Sequence, residues 1–597
     1  MTKSAQGVRW DLGDLYQGPE DPRIERDLKT ASSRALLFEK KYKNRLAKNL
    51  PALLKDYKAI VTLLTRPIVY AHLRFAEKTD EPGRGAFLQT VRTRITDIQS
   101  HLLFWEIGWN KLDARKVSVL LKNPRLAPDR HYLENLRKYA AHTLSEPEEK
   151  VFSAKANTSS AAFSRLFDEV MNSVPFYIQL NGKKEKKTEG EILGLFHSPE
   201  RETRRKASES LTAGLEENKR LLTYIYNMIL ADHRLDLKHR FYGHPSDPRN
   251  LANETDFRTL SNLVESVKRA YPVAARYYEL KRGLLGLDVL NDYDRYAPIT
   301  GEEEKVDFET CREIVLSSYR AFAPEAGKVA ALFFERRWID AEIRPGKQGG
   351  GFCCETVPEL HPYVLVNYTG NLRDVLTVAH ELGHGLHQYL SRKAGILESS
   401  APLTMAETAS VFGEMLVFEK ILEREKDPRK RLALLCGKID DCFATVFRQI
   451  ALTDFELRAH EAGLKKGELS EEELNGFWIG ANADLYGRSV KLTEGYRHGW
   501  KYIPHFVHTP FYCYAYAFAQ LFVLCLYKRY KEDPKGFVPK YFEMLTLGGS
   551  RRPEEIARIG GIDLGKKGFW QEGLGLLTDL VAQAEKEAEA CAAKARP

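Results

Sequence analysis

The sequence predicts a mainly α protein with a small β-sheet beside one particular helix. Two observations predict it. Apolar residues recur at three- and four-residue spacing through long stretches, whereas strict alternation is rare. Strand signals are confined to two short places, and the second runs directly into a helix carrying His-Glu-Leu-Gly-His-Gly-Leu-His. A chain of 597 residues can bury a large core and should form several domains or one elaborate two-lobed body.

Residues 51–78 and 86–111 show the helical period clearly. Residues 175–196 then suggest a hairpin: PFYIQLNGKK and EGEILGLF would turn near Asn181-Gly182. The basic run 182–187 reads as a solvated turn. Helical periodicity returns over 257–286 and 308–338. A glycine-rich loop follows, with Gly346, Gly349, Gly350 and Gly351. It matches no phosphate-binding pattern and reads as a flexible flap. An apolar run over 363–368 predicts a strand, and a turn at Thr369-Gly370-Asn371 leads into the helix 373–390. Another amphipathic run covers 406–424. The uncharged stretch 509–527 is long enough to span a bilayer, but its starting proline, its tyrosines and its isolation argue for a buried helix. The Ala/Lys/Glu-rich stretch 581–597 reads as a fraying helix.

The composition narrows the function classes. A net charge of +8 is a small excess of 90 basic over 82 acidic residues, and no basic tract suits nucleic acid. The first residues contain no apolar signal-peptide core. Eight cysteines without a CxxC pair fit reduced thiols in a cytoplasmic protein.

His380 and His384 stand at i and i+4, one turn apart and about 40° round the helix, so they can share one tetrahedral zinc. Glu381, about 100° round from His380, lies beside such a metal, where it can accept a proton from water. Gly383 and Gly385 are costly in mid-helix, a cost that close approach of something else would explain. His387 is too far along the helix to join the same tetrahedron; it lines the cleft, supports a ligand or is simply solvated.

The third ligand must come from elsewhere. The HExxHxxGxxH pattern is excluded because its glycine and third histidine positions hold His387 and Leu390. Within the run that begins Met405-Ala406-Glu407, Glu407, Ser410 and Glu414 share a face at i, i+3 and i+7. Glu407, 23 residues after His384, is the expected ligand. Glu414 is either a partner that orients a histidine or a solvated side chain. Three protein ligands leave a position open, the mark of catalytic rather than structural zinc. The donors of 504–516 could then stabilise an oxyanion.

With these residues in place the chain resembles the oligoendopeptidase F family, relatives of thimet oligopeptidase among the zinc metallopeptidases. The resemblance covers most of the chain: TSSAAFSRLFDEVMNSV (158–174), SDPRNLANE (246–254), DYDRYAPI (292–299), GKQGGGF (346–352), AHELGHGLHQ (379–388), AETASVFGE (406–414), FELRAHE (455–461) and IPHFVHTPFYCYAYA (503–517). It implies one zinc ion on His380, His384 and Glu407, with Glu381 as general base. It also implies that His505 with Tyr512 or Tyr514 binds substrate and stabilises the oxyanion, Tyr514 being favoured. His508 and Phe511 depart from the family pattern. The implied fold is a two-lobed helical zincin-type metallopeptidase with a deep central substrate channel. The strand 363–368 would pair with the substrate backbone and the loop 346–351 would close over it. The expected organisation is an N-terminal helical region (1–110), an oligopeptidase F-type helical segment with the hairpin (111–198) and a catalytic peptidase domain (199–597).

The expected function is zinc-dependent cleavage within short unfolded oligopeptides, by a cytoplasmic protein with no nucleic-acid or membrane partner. Two alternatives remain: a carboxydipeptidase, which also combines HExxH with a later glutamate, and a non-catalytic helical binding protein braced by zinc. In the brace, Cys353 or Cys354 would supply a fourth ligand.

Overall fold

A computed structural model describes residues 5–180, 182–300, 305–566 and 568–594. It is 71% helical with few strands. The chain divides into two compact units, each assembled from three separate segments. The first comprises Met1–Glu146, Glu303–Ile421 and Leu526–Asp563; the second comprises Pro147–Glu302, Leu422–Cys525 and Leu564–Pro597.

Several long periodic runs are interrupted. The expected helix over 308–338 is two, Phe308–Phe322 and Pro324–Glu335. Ala323 between them is extended, as the residue before a proline tends to be. Likewise 257–286 divides into Phe257–Arg269 and Tyr271–Leu284, with Pro272 in the first turn of the second. The run 86–111 breaks between Pro82–Ser100 and Leu103–Asn110. None of the helices among the described residues is long and apolar enough to cross a membrane.

The first unit contains a three-stranded sheet made of β3 (Ile339–Asp340), β4 (Phe352–Cys354) and β5 (Tyr363–Leu365), in the order β3-β5-β4. β5 runs parallel to β3 and antiparallel to β4. This corrects one expectation. The strand over 363–368 is shorter than its apolar run, fully buried, and flanked on both sides, so it has no edge for a substrate backbone. The edge strands are β3 and β4.

The sheet lies against the motif helix Leu372–Ser391, where the Cys353 thiol donates to Gln388 Oε1 at 3.1 Å. Asn371 caps that helix by accepting from the Asp374 N–H at 2.9 Å. Asp374 Oδ2 in turn accepts from the Thr369 and Gly370 N–H groups, which makes the turn tight; Gly370 sits at φ +95°. The loop 346–351 is anchored rather than loose. Gly346 O accepts from Thr79 N–H, Gln348 N–H donates to Ala76 O, and Asn367 Nδ2 donates to Gly350 O.

In the second unit, β1 (Phe176–Leu180) and β2 (Lys183–Lys187) form an antiparallel hairpin. Asn181, expected at its turn, lies outside the described residues. The second strand is not EGEILGLF, which is helical over Glu189–Gly194 and Leu195–His197. It is the lysine-rich run expected as a turn. Phe176 and Ile178 bury their side chains in a core with Phe167, Leu215 and Ile225, and Lys183, Lys184 and Lys186 of β2 remain exposed. A second core gathers Tyr226, Phe455, Trp478, Trp500 and Phe506.

Candidate active site

The motif helix positions His380 and His384 on one face, with ring centroids 5.0 Å apart. Glu407 does not lie within the continuous helix that periodicity suggests. It follows the short helix Leu403–Ala406 and precedes Ser410–Arg424, in a turn that folds back onto the motif helix. Gly383 allows this approach: a Cβ there would stand 2.3 Å from Ala409 O and 2.5 Å from Ser410 Cα. Gly385 similarly admits the ring of Phe333, which a Cβ would meet at 2.5 Å. Both mid-helix glycines are thus spaces filled by a neighbour.

The geometry fits a metal. His380 Nε2 and His384 Nε2 each lie 3.3 Å from Glu407 Oε2. Ligand distances of about 2.0–2.1 Å in a tetrahedron give donor–donor edges of about 3.3–3.4 Å. Among the described residues these three make the one group of His, Cys, Asp and Glu donors able to hold an ion. The electrostatics agree. Burial pulls the His380 imidazolium down, but Glu407 and Glu414 push its pKa up to about 10. Burial raises the Glu407 carboxyl, yet the two imidazoles hold it well below the usual range. The cluster is organised to draw positive charge.

Neighbouring groups fix these donors. Glu414 Oε2 is 3.3 Å from His380 Nδ1, so the carboxylate faces the nitrogen turned away from Glu407. Ser410 donates its hydroxyl to Glu407 Oε2. His387 is neither solvated nor exposed to a cleft. It is buried, hydrogen-bonds the Ala406 backbone, and burial lowers its pKa to about 4. It therefore braces, as a neutral ring, the turn that presents Glu407.

Glu381 is only 7% exposed, and burial raises its carboxyl pKa. A Cβ on Gly351 would stand 3.0 Å from Glu381 Oε1, so the glycine loop passes directly over this side chain. Cys353 and Cys354 do not complete a metal site. Burial raises both thiols, Cys354 to about 12, and neither joins the three donors.

Sequence comparison gives the family. The sequence model of peptidase family M3 matches residues 195–576, and that described as oligopeptidase F matches 109–176. The chain belongs to peptidase family M3. Among similar M3 relatives, an oligoendopeptidase F homolog of Borreliella burgdorferi is 27% identical, over 94% of each chain. Another, of Lactococcus lactis subsp. lactis, is 26% identical over 98% of this chain and 97% of that one. The fold is shared with a Chlamydophila abortus crystal structure (TM-score 0.87, 24% identity, 98% and 99% of the two chains). It is also shared with oligoendopeptidase-F from Enterococcus faecium (TM-score 0.73, 22% identity, 95% and 98%). As an M3 peptidase, the protein hydrolyses peptides.

The other residues expected to act on the substrate, His505, Tyr512 and Tyr514, lie in the second unit. His505 is half-buried, with Nε2 3.3 Å from Tyr516 Oη and its ring 5.6 Å from that of Tyr512. Tyr514, the favoured oxyanion donor, is instead fully buried. Its hydroxyl donates to Asn250 Oδ1 at 2.8 Å and accepts from Asn253 Nδ2 at 2.9 Å. That placement makes it a core residue. Tyr512 and Tyr516 are the partly exposed pair; Tyr512 precedes the helix Tyr514–Glu532 and Tyr516 lies in its first turn, so no helical period joins them, and within the donor stretch 504–516 the sequence points to Tyr512 and Tyr514 instead. Phe511 sits at φ +59° with its N–H donating to buried Glu456 at 2.7 Å, which holds the turn beside Tyr512. His508 reaches Asp168 at 2.8 Å on the surface.

Tyr514→Phe is accordingly expected to destabilise the fold by about 1–3 kcal/mol, because Asn250 and Asn253 lose a buried partner. Thermal unfolding checks this. A selective loss of kcat at unchanged Tm would return the hydroxyl to the chemistry.

Proposed function

We propose that this M3 peptidase is a zinc endopeptidase acting on oligopeptides, with His380, His384 and Glu407 as the metal ligands. The observation that carries the reading is the pair of 3.3 Å donor–donor distances, which match a tetrahedral edge from only three protein groups. Zinc held there would supply Lewis acidity, polarising the scissile carbonyl and easing deprotonation of water. Glu381 takes the proton of the attacking water and delivers it to the leaving nitrogen; its buried, raised carboxyl suits both halves of that task. His505 with Tyr512 or Tyr516 supplies hydrogen bonds to the substrate and the oxyanion. The peptide backbone adds to β4, the edge strand that follows the glycine loop.

Internal cleavage is favoured by the naming of the relatives as oligoendopeptidases. The binding-protein alternative loses support, since it needs a fourth ligand that the two cysteines do not offer. The deciding experiment uses an internally quenched, C-terminally amidated nonapeptide. Activity should vanish with chelator, return with one equivalent of zinc, and persist on the amide with cleavage at an internal bond. An enzyme that cleaves only the free acid, two residues from its end, would be a carboxydipeptidase. Activity unchanged after complete metal removal would end the zinc reading.

A further inference from the structure

We propose that the second unit carries a carboxylate subsite for the peptide substrate, formed by Arg448 and Arg295 in the cavity bordered by His505. The inference rests on the peptidase reading above. The cavity measures about 410 Å³ and is lined by residues of five separate stretches, among them Tyr296, Tyr496 and Tyr502.

Arg448 reaches it from an unusual piece of backbone. It ends a π-helical segment, Ala444–Arg448, set between the helices Pro428–Phe443 and Gln449–Lys466. Such segments shift side chains out of the helical register and recur at functional sites. Arg448 Nε is buried without a hydrogen-bond partner, and one terminal nitrogen donates to the Tyr502 hydroxyl at 3.3 Å. Among the described residues no carboxylate pairs with it. Arg295 is 7% exposed and equally without an ion pair among the described residues. Its Nε donates to the Asp292 carbonyl at 2.8 Å and Nη1 to the Tyr486 hydroxyl. The rings of Tyr296, Tyr486 and Tyr496 lie 5.3, 4.9 and 5.4 Å from its Cζ.

The nearby carboxylates of Asp440 and Asp292 act on Arg295 only through space and accept their hydrogen bonds from other groups. Asp440 holds Lys281 Nζ at 2.6 Å and the Tyr277 hydroxyl at 2.8 Å, and Asp292 accepts from the Thr493 N–H at 2.7 Å. Glu189 borders the cavity, but burial pushes its pKa up to about 7, so near neutrality much of it is uncharged. Gln449 Oε1, also buried and unpartnered, lines the same space and could accept a peptide N–H. Two guanidiniums facing mainly tyrosine rings are costly to bury unless an anion joins them. A carboxylate, planar and able to accept two parallel N–H bonds, is the anion that a peptide brings.

The test compares quenched nonapeptides as free acid and amide, and amidated peptides in which one Glu or Gln is moved along the sequence. Wild type should prefer the carboxylate-bearing member by about 10- to 100-fold in kcat/KM, mainly through KM. A preference for the acid assigns the subsite to the C-terminus; a preference for Glu at one position assigns it to a side chain. Arg448→Gln should collapse that ratio toward one, and Arg448→Lys should retain part of it. The same ratios are read as Kd by fluorescence anisotropy on Glu381→Gln protein, so the subsite is tested even if no hydrolysis occurs. The proposal fails if wild type discriminates in neither assay, or if Arg448→Gln leaves the ratio intact or weakens both members equally.

Discussion

Glu381→Gln should lower kcat for peptide hydrolysis by about 10²- to 10⁴-fold while leaving zinc binding in place. Glutamine keeps the shape and one hydrogen-bond acceptor of the side chain but cannot hold the transferred proton. The effect should be large because nothing nearby can substitute. Glu381 is almost entirely buried beneath Gly351, and burial together with Glu381 itself holds the Cys353 thiol well above its usual range, protonated. His380 and His384 are occupied as the proposed ligands, and His387 is turned toward Ala406. The measurement is single-turnover cleavage of the quenched nonapeptide, with zinc content and Tm determined on the same preparation. A folded, zinc-loaded variant retaining activity within tenfold of wild type would remove Glu381 from the proton transfer.

Gly383→Ala should be the most damaging of the conservative changes. The new methyl would meet the Ala409 carbonyl and Ser410 Cα, both main-chain atoms that cannot rotate aside. We expect a loss of about 2–4 kcal/mol and weakened zinc binding, since the displaced turn carries Glu407. Gly437→Ala provides the contrast. Gly437 is exposed in the helix Pro428–Phe443 with nothing within 4 Å of its added Cβ, so alanine there should stabilise by about 0.5–1 kcal/mol. Denaturant unfolding and zinc titration distinguish the two. Equal effects at both glycines would mean that helix propensity, not the packed turn, governs Gly383.

The motif helix is readable in the sequence because its information is local. The i, i+4 histidines, the capping residue Asn371 and the two glycines all lie within one element, and 3.6-residue geometry relates them directly. Glu407 is also identifiable by its distance along the chain, but its conformation is not. A periodic run cannot reveal that the third ligand sits in a break between helices, because the break depends on packing against Gly383. β5 reads as a substrate-pairing strand for a similar reason. Its second neighbour, Ile339–Asp340, is two residues long and has no period to detect. Tyr514 defeats sequence reasoning because its partners, Asn250 and Asn253, lie 264 and 261 residues away. No local pattern distinguishes a tyrosine turned toward them from one turned toward substrate.

The interleaving of the two units also governs how the protein can be made. The chain crosses between them at residues 146–147, 302–303, 421–422, 525–526 and 563–564. Neither unit can close its core during synthesis until its last segment has emerged, although 303–421, with every proposed metal ligand, is made much earlier. Those apolar faces must wait for residues 526–563, exposed to misassociation in the meantime. Long-range closure of this kind slows folding. A fragment cut at 302–303 or at 421–422 would strand the metal ligands without part of their unit, so a smaller active enzyme cannot be obtained by truncation there.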